Sequence, residues 1–243
     1  RAALAFLGVV VLSAGIASWA QGPNRSASKF YPDSSDPAET LLRNAANLGR
    51  DGQWAEAISI YQRIIDQYSN KVARLPKAER EGEKPPGPDP GDEFGLFVDL
   101  RVYCHRSLAK LPAEARAIYR ERVDGLAERW FVQGKANRDA SMLRRILDLA
   151  FCSSWGDDAI ELLGDIAFQE GRFGEALAIY RRLVLDRPDD AASFIHPDPS
   201  VDLARIAAKK ILARAAAGED LHIDQEIEAF SQRYPDSAGA LAG

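Results

Sequence analysis

Apolar side chains recur at intervals of three and four residues between positions 157 and 188. They are Ile160, Leu163, Ala167 and Phe168 in the first half, and Phe173, Ala176, Leu177, Tyr180, Leu183 and Val184 in the second. This spacing predicts two amphipathic helices. Gly171 lies between them, where a tight turn can use positive φ, and Pro188 is expected to end the second helix because proline cannot continue one. We therefore expect a helical hairpin over residues 157–188.

The same skeleton occurs nearer the start of the chain. Gly52, Glu56, Ala57, Ile60, Tyr61 and Arg63 recur 119 residues later as Gly171, Glu175, Ala176, Ile179, Tyr180 and Arg182. Residues 38–69 are thus expected to form a related hairpin. Because 119 is three and a half times a repeat of about 34 residues, the units between the two copies cannot all be regular.

Three further pairs of helices are predicted from the same periodicity. A helix over residues 94–112 is expected to pair with residues 112–123 through Ala115 and Tyr119. A shorter hairpin joins residues 126–135 to 139–151, with Asp139 as the N-cap. Residues 202–220 and 223–235 are expected to form the last pair, with Gly218 at the turn.

The hairpin at 157–188 resembles the tetratricopeptide repeat (TPR) family. The positions of the family pattern are occupied by Leu163-Gly164, Ala176, Tyr180, Leu183 and Pro188, while Ile160 and Ala167 replace its usual Trp and first-helix Tyr. In the first copy Ala57, Tyr61 and Ile64 keep their places, and Ala45 replaces the glycine. The resemblance implies an all-α fold, a right-handed α-α superhelix (a TPR-like solenoid) of about five helical hairpins. We expect no β-sheet.

Composition divides the chain into segments. Residues 21–37 are expected to be a linker and residues 38–234 a TPR-like helical-repeat domain. Within that domain, residues 71–93 carry five prolines and eleven charged side chains, which predicts a mobile insertion with little to bury. Residues 235–243 are interpreted as the start of a truncated further repeat, so we expect the protein to continue beyond them.

Residues 1–20 differ from the rest of the chain. Arg1 is followed by an apolar run and then by small residues, among them Ser18 and Ala20, which is typical of a secretory signal peptide. The alternative is an uncleaved membrane anchor, since the run approaches the ~20 residues that a spanning helix needs. We expect an exported protein of the periplasm or cell envelope, with a membrane tether through residues 1–20 if they are not cleaved.

The overall composition limits the classes of partner. Hydrophobic residues make up 46% of the chain and charged residues 28%, with a net charge of −5, which is typical of a globular protein. Nucleic-acid binding usually shows as a basic patch on a basic domain. The sequence has neither, so nucleic acid is excluded as the expected partner.

Residues that could carry chemistry are few. Cys104 and Cys152 could form a disulfide in an oxidising compartment, or could be two small buried side chains. His105 is adjacent to Cys104, which is a poor arrangement for a shared metal ion, and His196 is expected in a loop. The sequence has no G-x-S-x-G, H-E-x-x-H or phosphate-binding glycine motif. We therefore expect a protein that is not an enzyme and has no catalytic residues, metal site or cofactor.

The TPR resemblance implies that the first helix of each hairpin lines a concave groove for a partner segment. In the second copy the residues at these positions are Asp158, Glu161, Asp165, Phe168 and Gln169. In the first copy they are Glu39, Leu42, Arg43, Ala46 and Arg50. The alternative is that these side chains form an ordinary solvated helix face.

Two functions from different classes fit this sequence. The first is an exported non-catalytic helical-repeat scaffold that binds a protein partner or supports an adjacent domain. The second follows from the order of segments, which resembles the N-terminal TPR-like region of exported bacterial proteins carrying a quinoprotein-like (PQQ-binding-like) β-propeller. In that case the chain would be the accessory region of an enzyme or redox protein whose catalytic part lies beyond residue 243. A component of envelope assembly is a third, narrower hypothesis, which the missing lipid-acceptor cysteine disfavours.

Overall fold

Nine α-helices account for most of the residues that the computed structural model describes, namely 35–74, 97–186, 194–219 and 223–237. This confirms the predicted all-α helical-repeat fold. The elements in chain order are α1 (Asp36–Arg50), α2 (Trp54–Tyr68), β1 (Val72–Arg74), β2 (Phe97–Asp99), α3 (Leu100–Ala109), α4 (Ala113–Asn137), α5 (Ala140–Leu149), α6 (Gly156–Gln169), α7 (Phe173–Tyr180), α8 (Leu203–Ala216) and α9 (Ile223–Arg233).

Short polar side chains begin several helices by accepting hydrogen bonds from backbone amides that have no partner within the helix. The Asp139 carboxylate accepts from the Ser141 N–H at 2.8 Å, in the N-cap role expected from the sequence. Asp202 accepts from the Ala204 N–H at 2.9 Å. The Ser35 hydroxyl caps α1, so the first helix begins at Asp36, two residues before the predicted start of the repeat domain at residue 38.

Tight glycine turns connect the helices of the two related hairpins. Gly52 between α1 and α2 and Gly171 between α6 and α7 both have a φ of 75°, a conformation that side chains with a Cβ rarely adopt. Gly218, between α8 and α9, has the same φ. The three turns reverse the chain within a few residues, which lets consecutive helices pack side by side.

The helices pack mainly against their neighbours along the chain. α1 lies on α2, α2 on α3, and α4 to α9 follow one another in the same way. Their inward faces form one continuous hydrophobic core that includes Ile58, Tyr119, Ile146, Leu163 and Ile206, each almost fully buried. Packing of each unit on its neighbour is the arrangement expected of a helical-repeat protein.

The middle of the chain departs from the predicted hairpins. Residues 113–137 form one continuous helix, α4, where two separate helices were expected. Its buried side recurs at Ala115, Tyr119, Val123 and Ala127, and this uninterrupted stripe holds the helix together across Gly125. The prediction that Ala115 and Tyr119 pair this helix with α3 is wrong, because α3 packs chiefly on α2 while α4 packs chiefly on α5.

The second related hairpin ends earlier than its pattern predicted. α7 stops at Tyr180, so Leu183 and Val184 follow the helix and Pro188 does not end it. The backbone carbonyl of Arg182 accepts a hydrogen bond from the His196 N–H at 2.8 Å. The Arg182 carbonyl is therefore bound by a later part of the chain and does not continue the helix, so α7 ends at Tyr180. Pro188 itself lies outside the described residues.

A short antiparallel pair of strands corrects the expectation of no β-sheet. β1 and β2 pair with Val72 opposite Asp99, Ala73 opposite Val98 and Arg74 opposite Phe97. The β-branched and aromatic residues at these positions favour extended structure. Residues 72–74 of the predicted 71–93 insertion are thus an ordered strand, while residues 75–93 lie outside the described part of the chain.

Several predictions concern residues that the structure does not describe. They are the signal peptide or anchor at 1–20, most of the linker at 21–37, and the last six residues of the further repeat at 235–243. Within the described ranges, none of the helices is both long enough and apolar enough to span a bilayer.

Candidate functional site

A cavity of about 650 Å³ lies beside α1, α2 and the end of α3. We call it the basic cavity. Three of the residues that the TPR resemblance placed on a groove line it, namely Arg43, Ala46 and Arg50. The other side chains that define its chemistry are Asn47, Trp54, Tyr61 and Lys110.

The spacing of α1 explains why its polar side chains share this cavity. Arg43, Asn47 and Arg50 are four and three residues apart, which places them on one face of the helix. Ala38, Leu42 and Ala45 form the buried stripe of the same helix. Leu42 was expected in the groove, but it is only 6% exposed and belongs to the hydrophobic core.

The basic cavity carries an excess of positive charge. Arg43, Arg50 and Lys110 line it, and none of its lining residues is an Asp or a Glu. Arg50 donates a hydrogen bond to the Asn47 side-chain oxygen, which holds the guanidinium against α1. The side chains of Arg43 and Lys110 are exposed and have no ion pair with a described residue. Three cations at one opening favour an anionic ligand.

The acidic side chains of α6 have partners within the protein. Arg205 Nε and Nη2 donate to the two Glu161 carboxylate oxygens at 2.7 and 2.8 Å. Lys209 Nζ donates to Glu161 at 2.8 Å and to Asp165 at 2.7 Å, and the Tyr180 hydroxyl donates to Asp165 at 2.7 Å. Glu161 and Asp165 therefore form an ionic network between α6, α7 and α8, so the alternative of an ordinary solvated helix face does not describe them.

The electrostatics of Glu161 follow from this network. Burial would raise the pKa of its carboxyl group, but hydrogen bonds and charge from Arg205 and Lys209 outweigh that effect and lower the pKa of Glu161. The side chains of Glu161 and Lys209 are only 13% and 11% exposed. These two charges hold α8 against α6.

The remaining α6 candidates also contact their own protein. The Phe168 ring lies edge-on to Phe173 with centroids 5.1 Å apart, and the Gln169 side-chain oxygen accepts from Arg138. Asp158 is half-buried, and burial, followed by the nearby charges of Asp157 and Glu161, raises its pKa. None of the α6 candidates lines the basic cavity, so that cavity holds candidates from the first copy alone.

Asp157 and His196 have structural roles that the sequence pattern did not indicate. Asp157 is 1% exposed, and its Oδ2 atom accepts from the Ser200 N–H, the Ser200 hydroxyl and the Val201 N–H. His196 Nε2 lies 3.1 Å from the Ser153 carbonyl. Both residues fix the irregular segment 194–202 to the start of α6. The neighbouring acids Asp157 and Asp158 at the helix start did not indicate this role. The partners of Asp157 lie more than forty residues away in the sequence.

The two cysteines are free thiols, so the predicted alternative of two small buried side chains describes them and the disulfide does not. Both are fully buried, and burial raises the pKa of Cys104 and of Cys152 above the ordinary value. Cys152 Sγ donates to the His105 carbonyl at 3.5 Å. Such thiols are protonated at neutral pH and are poor nucleophiles. In the described parts of the chain, no three His, Cys, Asp or Glu side chains are grouped so as to hold a metal ion.

One family model matches part of the chain. It is described as a tetratricopeptide repeat and matches residues 39–71, which cover most of α1, the turn at Gly52 and α2. No curated protein and no solved structure matches the chain at a significant level. Repeats of this kind typically mediate protein–protein interactions and are generally not enzymes. The match supports a tetratricopeptide repeat at the helical pair α1–α2, which supplies most of the basic cavity.

Proposed function

We propose that this protein is a non-catalytic interaction scaffold that binds an acidic segment of a partner protein, or of an adjacent domain, in the basic cavity. The observation that carries the proposal is the excess of positive charge at Arg43, Arg50 and Lys110 without a carboxylate in the lining. The cavity lies on the tetratricopeptide repeat at residues 39–71, a unit that typically binds other proteins.

The chemistry of the cavity suits a peptide carrying Asp or Glu. Guanidinium groups such as that of Arg43 bind carboxylates through two parallel N–H donors, and Lys110 adds a mobile point charge. Trp54 lines the same cavity and is partly buried against the core. An indole at this place can cover an apolar side chain of the partner. We therefore expect the bound segment to combine acidic and apolar residues.

The proposal can be tested with fluorescein-labelled peptides. Fluorescence anisotropy is measured with the full chain and a short peptide rich in Glu, Asp and Leu, and with a second peptide in which Lys replaces each acid. We expect binding of the acidic peptide alone, and weaker binding as salt increases because screening reduces the attraction. Arg43→Glu together with Lys110→Glu should weaken the affinity by about tenfold or more.

A control variant is Arg129→Glu, which reverses one positive charge at an exposed position of α4. Its affinity for the acidic peptide should equal that of the native chain. Equal binding of both peptides, or an unchanged affinity in the Arg43→Glu, Lys110→Glu variant, would remove the basic cavity as the binding site.

Export of the scaffold to the periplasm or cell envelope is part of the proposal and rests on the sequence of residues 1–20. A fusion of residues 1–37 to a reporter enzyme that is active only after export tests it. Reporter activity, with loss of residues 1–20 from the secreted product, supports a cleaved signal peptide. Activity that remains in the membrane fraction supports an anchor, and an inactive reporter contradicts export.

The order of segments along the chain supports a second candidate, the accessory region of a quinoprotein-like β-propeller protein. The test is the sequence of the complete gene. A reading frame that continues past residue 243 into repeated four-stranded blades would support this candidate, and a frame without them would exclude it.

A further inference from the structure

A second cavity, of about 270 Å³, lies between α3, α5 and the segment after α7. It shares no lining residue with the basic cavity. Its polar lining consists of Arg101, His105, Asp148, Arg181 and Arg182, and Phe194 is part of its apolar wall. This volume is just below the usual range for drug-sized ligands and suits only a small molecule.

The charges around this second cavity do not balance. Arg101 forms an ion pair with Asp148 at 2.8 Å, and Arg181 forms one with Asp186 at 2.7 Å. The side chain of Arg182 forms no hydrogen bond or ion pair with a described residue. One guanidinium group of the three is therefore left without a carboxylate.

The environment of Arg182 strengthens this imbalance. Residue 182 is exposed as a whole, but its guanidinium group is partly desolvated. Desolvation lowers the pKa of Arg182, and the charge of Arg101 lowers it further, against an opposing effect of Asp148. An anion held beside Arg182 would offset the repulsion between the two guanidinium groups.

His105 adds a group of a different kind. It is 2% exposed, and its Nε2 atom lies 3.0 Å from the Asp148 carbonyl oxygen. A carbonyl only accepts hydrogen bonds, so Nε2 carries the hydrogen of the neutral ring and Nδ1 carries a lone pair. Nδ1 is buried and has no hydrogen-bond partner among the described residues. A buried acceptor of this kind is costly unless a donor meets it.

The ring of His105 is also fixed in place. Phe194 stacks on it with the two planes 13° apart and the centroids 6.4 Å apart, and Phe151 packs at its side with centroids 5.9 Å apart. The lone pair of Nδ1 is thus held by packing and does not depend on a flexible side chain. A site with a fixed acceptor and an unpaired guanidinium can recognise a ligand that offers both an O–H group and a negative charge.

From this combination we infer that the second cavity binds a phosphate-type oxyanion, either free phosphate or a small phosphomonoester. The anionic oxygens would meet the guanidinium groups of Arg182 and Arg101, whose planar forks suit phosphate. At neutral pH a fraction of such ligands carries one P–OH group, which would donate to His105 Nδ1. A carboxylate offers the charge without the O–H group and should bind more weakly.

Isothermal titration calorimetry of the full chain tests the inference. Sodium phosphate, glycerol phosphate and sodium acetate are titrated separately at equal ionic strength, near neutral pH. We expect heat of binding with at least one of the two phosphates and little or none with acetate. A preference for glycerol phosphate would assign the site to a phosphomonoester, and a preference for phosphate to the free anion.

Substitutions then locate the bound ion. Arg182→Gln should weaken phosphate binding by about tenfold or more, as expected for losing a hydrogen bond to a charged group. Arg129→Gln at an exposed position of α4 is the control and should leave the affinity unchanged. Because Arg182 is exposed and unpaired, the variant is expected to fold, which a thermal melt verifies.

Three outcomes would overturn the inference. They are no heat with either phosphate, an affinity for acetate equal to that for phosphate, and an affinity that Arg182→Gln leaves unchanged while Arg43→Gln in the basic cavity reduces it. The last outcome would assign phosphate binding to the basic cavity.

Discussion

The ring of Tyr180 lies so close to Gly164 that a Cβ atom at residue 164 would be 2.4 Å from Tyr180 Cε1. Tyr180 is 1% exposed, and its hydroxyl is bound to Asp165, so the ring has little room to move. We predict that Gly164→Ala lowers the free energy of unfolding by about 1–3 kcal/mol, since overpacking a core costs about that much. Urea unfolding followed by circular dichroism measures it.

A glycine that meets no neighbour provides the control. Gly125 is exposed within α4, and a Cβ there would have no atom within 4 Å. Gly125→Ala should stabilise the protein by up to about 1 kcal/mol, because alanine is the better helix former. If both variants had the same stability, close packing of α6 on α7 at Gly164 would be ruled out as the reason for a glycine there.

The ionic network between α6 and α8 should contribute measurably to stability. Glu161→Gln removes the charge that Arg205 and Lys209 share, and we expect a loss of about 1–2 kcal/mol, in line with hydrogen bonds to charged groups. Glu128 is the control, because it is exposed on α4 and has no ion pair with any described residue. Glu128→Gln should change the free energy of unfolding by less than about 0.5 kcal/mol. Thermal melts that gave equal losses for the two variants would contradict the prediction.

Acid should destabilise the protein through its buried histidines. Burial is the largest effect on His105 and lowers its pKa to about 4; Arg101 and Arg182 lower it too, while the hydrogen bond to the Asp148 carbonyl and the charge of Asp99 act in the opposite direction. The pKa of His196 is also lowered, chiefly by burial. The unfolded chain, with a histidine pKa of about 6.5, therefore binds more protons than the folded protein below that pH. The stability is complete above about pH 6.5 and falls as the pH drops toward 4.

Urea unfolding at about pH 7.5, 6 and 5 measures this dependence. Each buried histidine contributes a slope of up to about 1.4 kcal/mol per pH unit. The carboxyl groups with a lowered pKa, such as Glu161, lose their contribution only below the ordinary carboxyl range, so they do not affect this window. His105→Gln should reduce the slope, and a stability that is constant from pH 7.5 to 5 would contradict the argument.

The periodicity of the sequence predicted those parts of the fold that depend on local interactions. The apolar spacing around Ala57 and Ala176, the turns at Gly52 and Gly171, and the cap at Asp139 all act within a few residues. The structure has helices, turns and a cap at these places. Two helices were predicted in place of the continuous α4, because Gly125 weakens the helical pattern. The buried stripe nevertheless continues on both sides of Gly125.

The remaining features depend on residues that are distant in sequence. α7 ends early since the Arg182 carbonyl binds the His196 amide, and β1 is too short for its alternation to be recognised without its partner β2. In the sequence Glu161 resembles an ordinary solvated acid, because its partner Arg205 is distant along the chain and meets it only in the folded protein. The same holds for the basic cavity, because Lys110 joins Arg43 only through the packing of α3 on α2.

Two adjacent carboxylates at the start of α6 allow one more prediction with a built-in control. Asp157 is buried and accepts three hydrogen bonds from Ser200 and Val201, whereas no described group donates a hydrogen bond to the Asp158 carboxylate. Asp157→Asn removes the negative charge that strengthens the three hydrogen bonds to Oδ2, because a neutral amide oxygen is a weaker acceptor, so we expect a loss of about 2–3 kcal/mol. Asp158→Asn removes a carboxyl group whose pKa is raised by burial and by two neighbouring acids, and it should be neutral or slightly stabilising at neutral pH.

Hydrogen exchange of the Ser200 and Val201 amides provides a local measurement beside the melt. Their exchange should become faster in Asp157→Asn alone. Slow exchange at both amides in that variant would mean that the segment 194–202 is held by His196 and Phe194 and does not need the carboxylate.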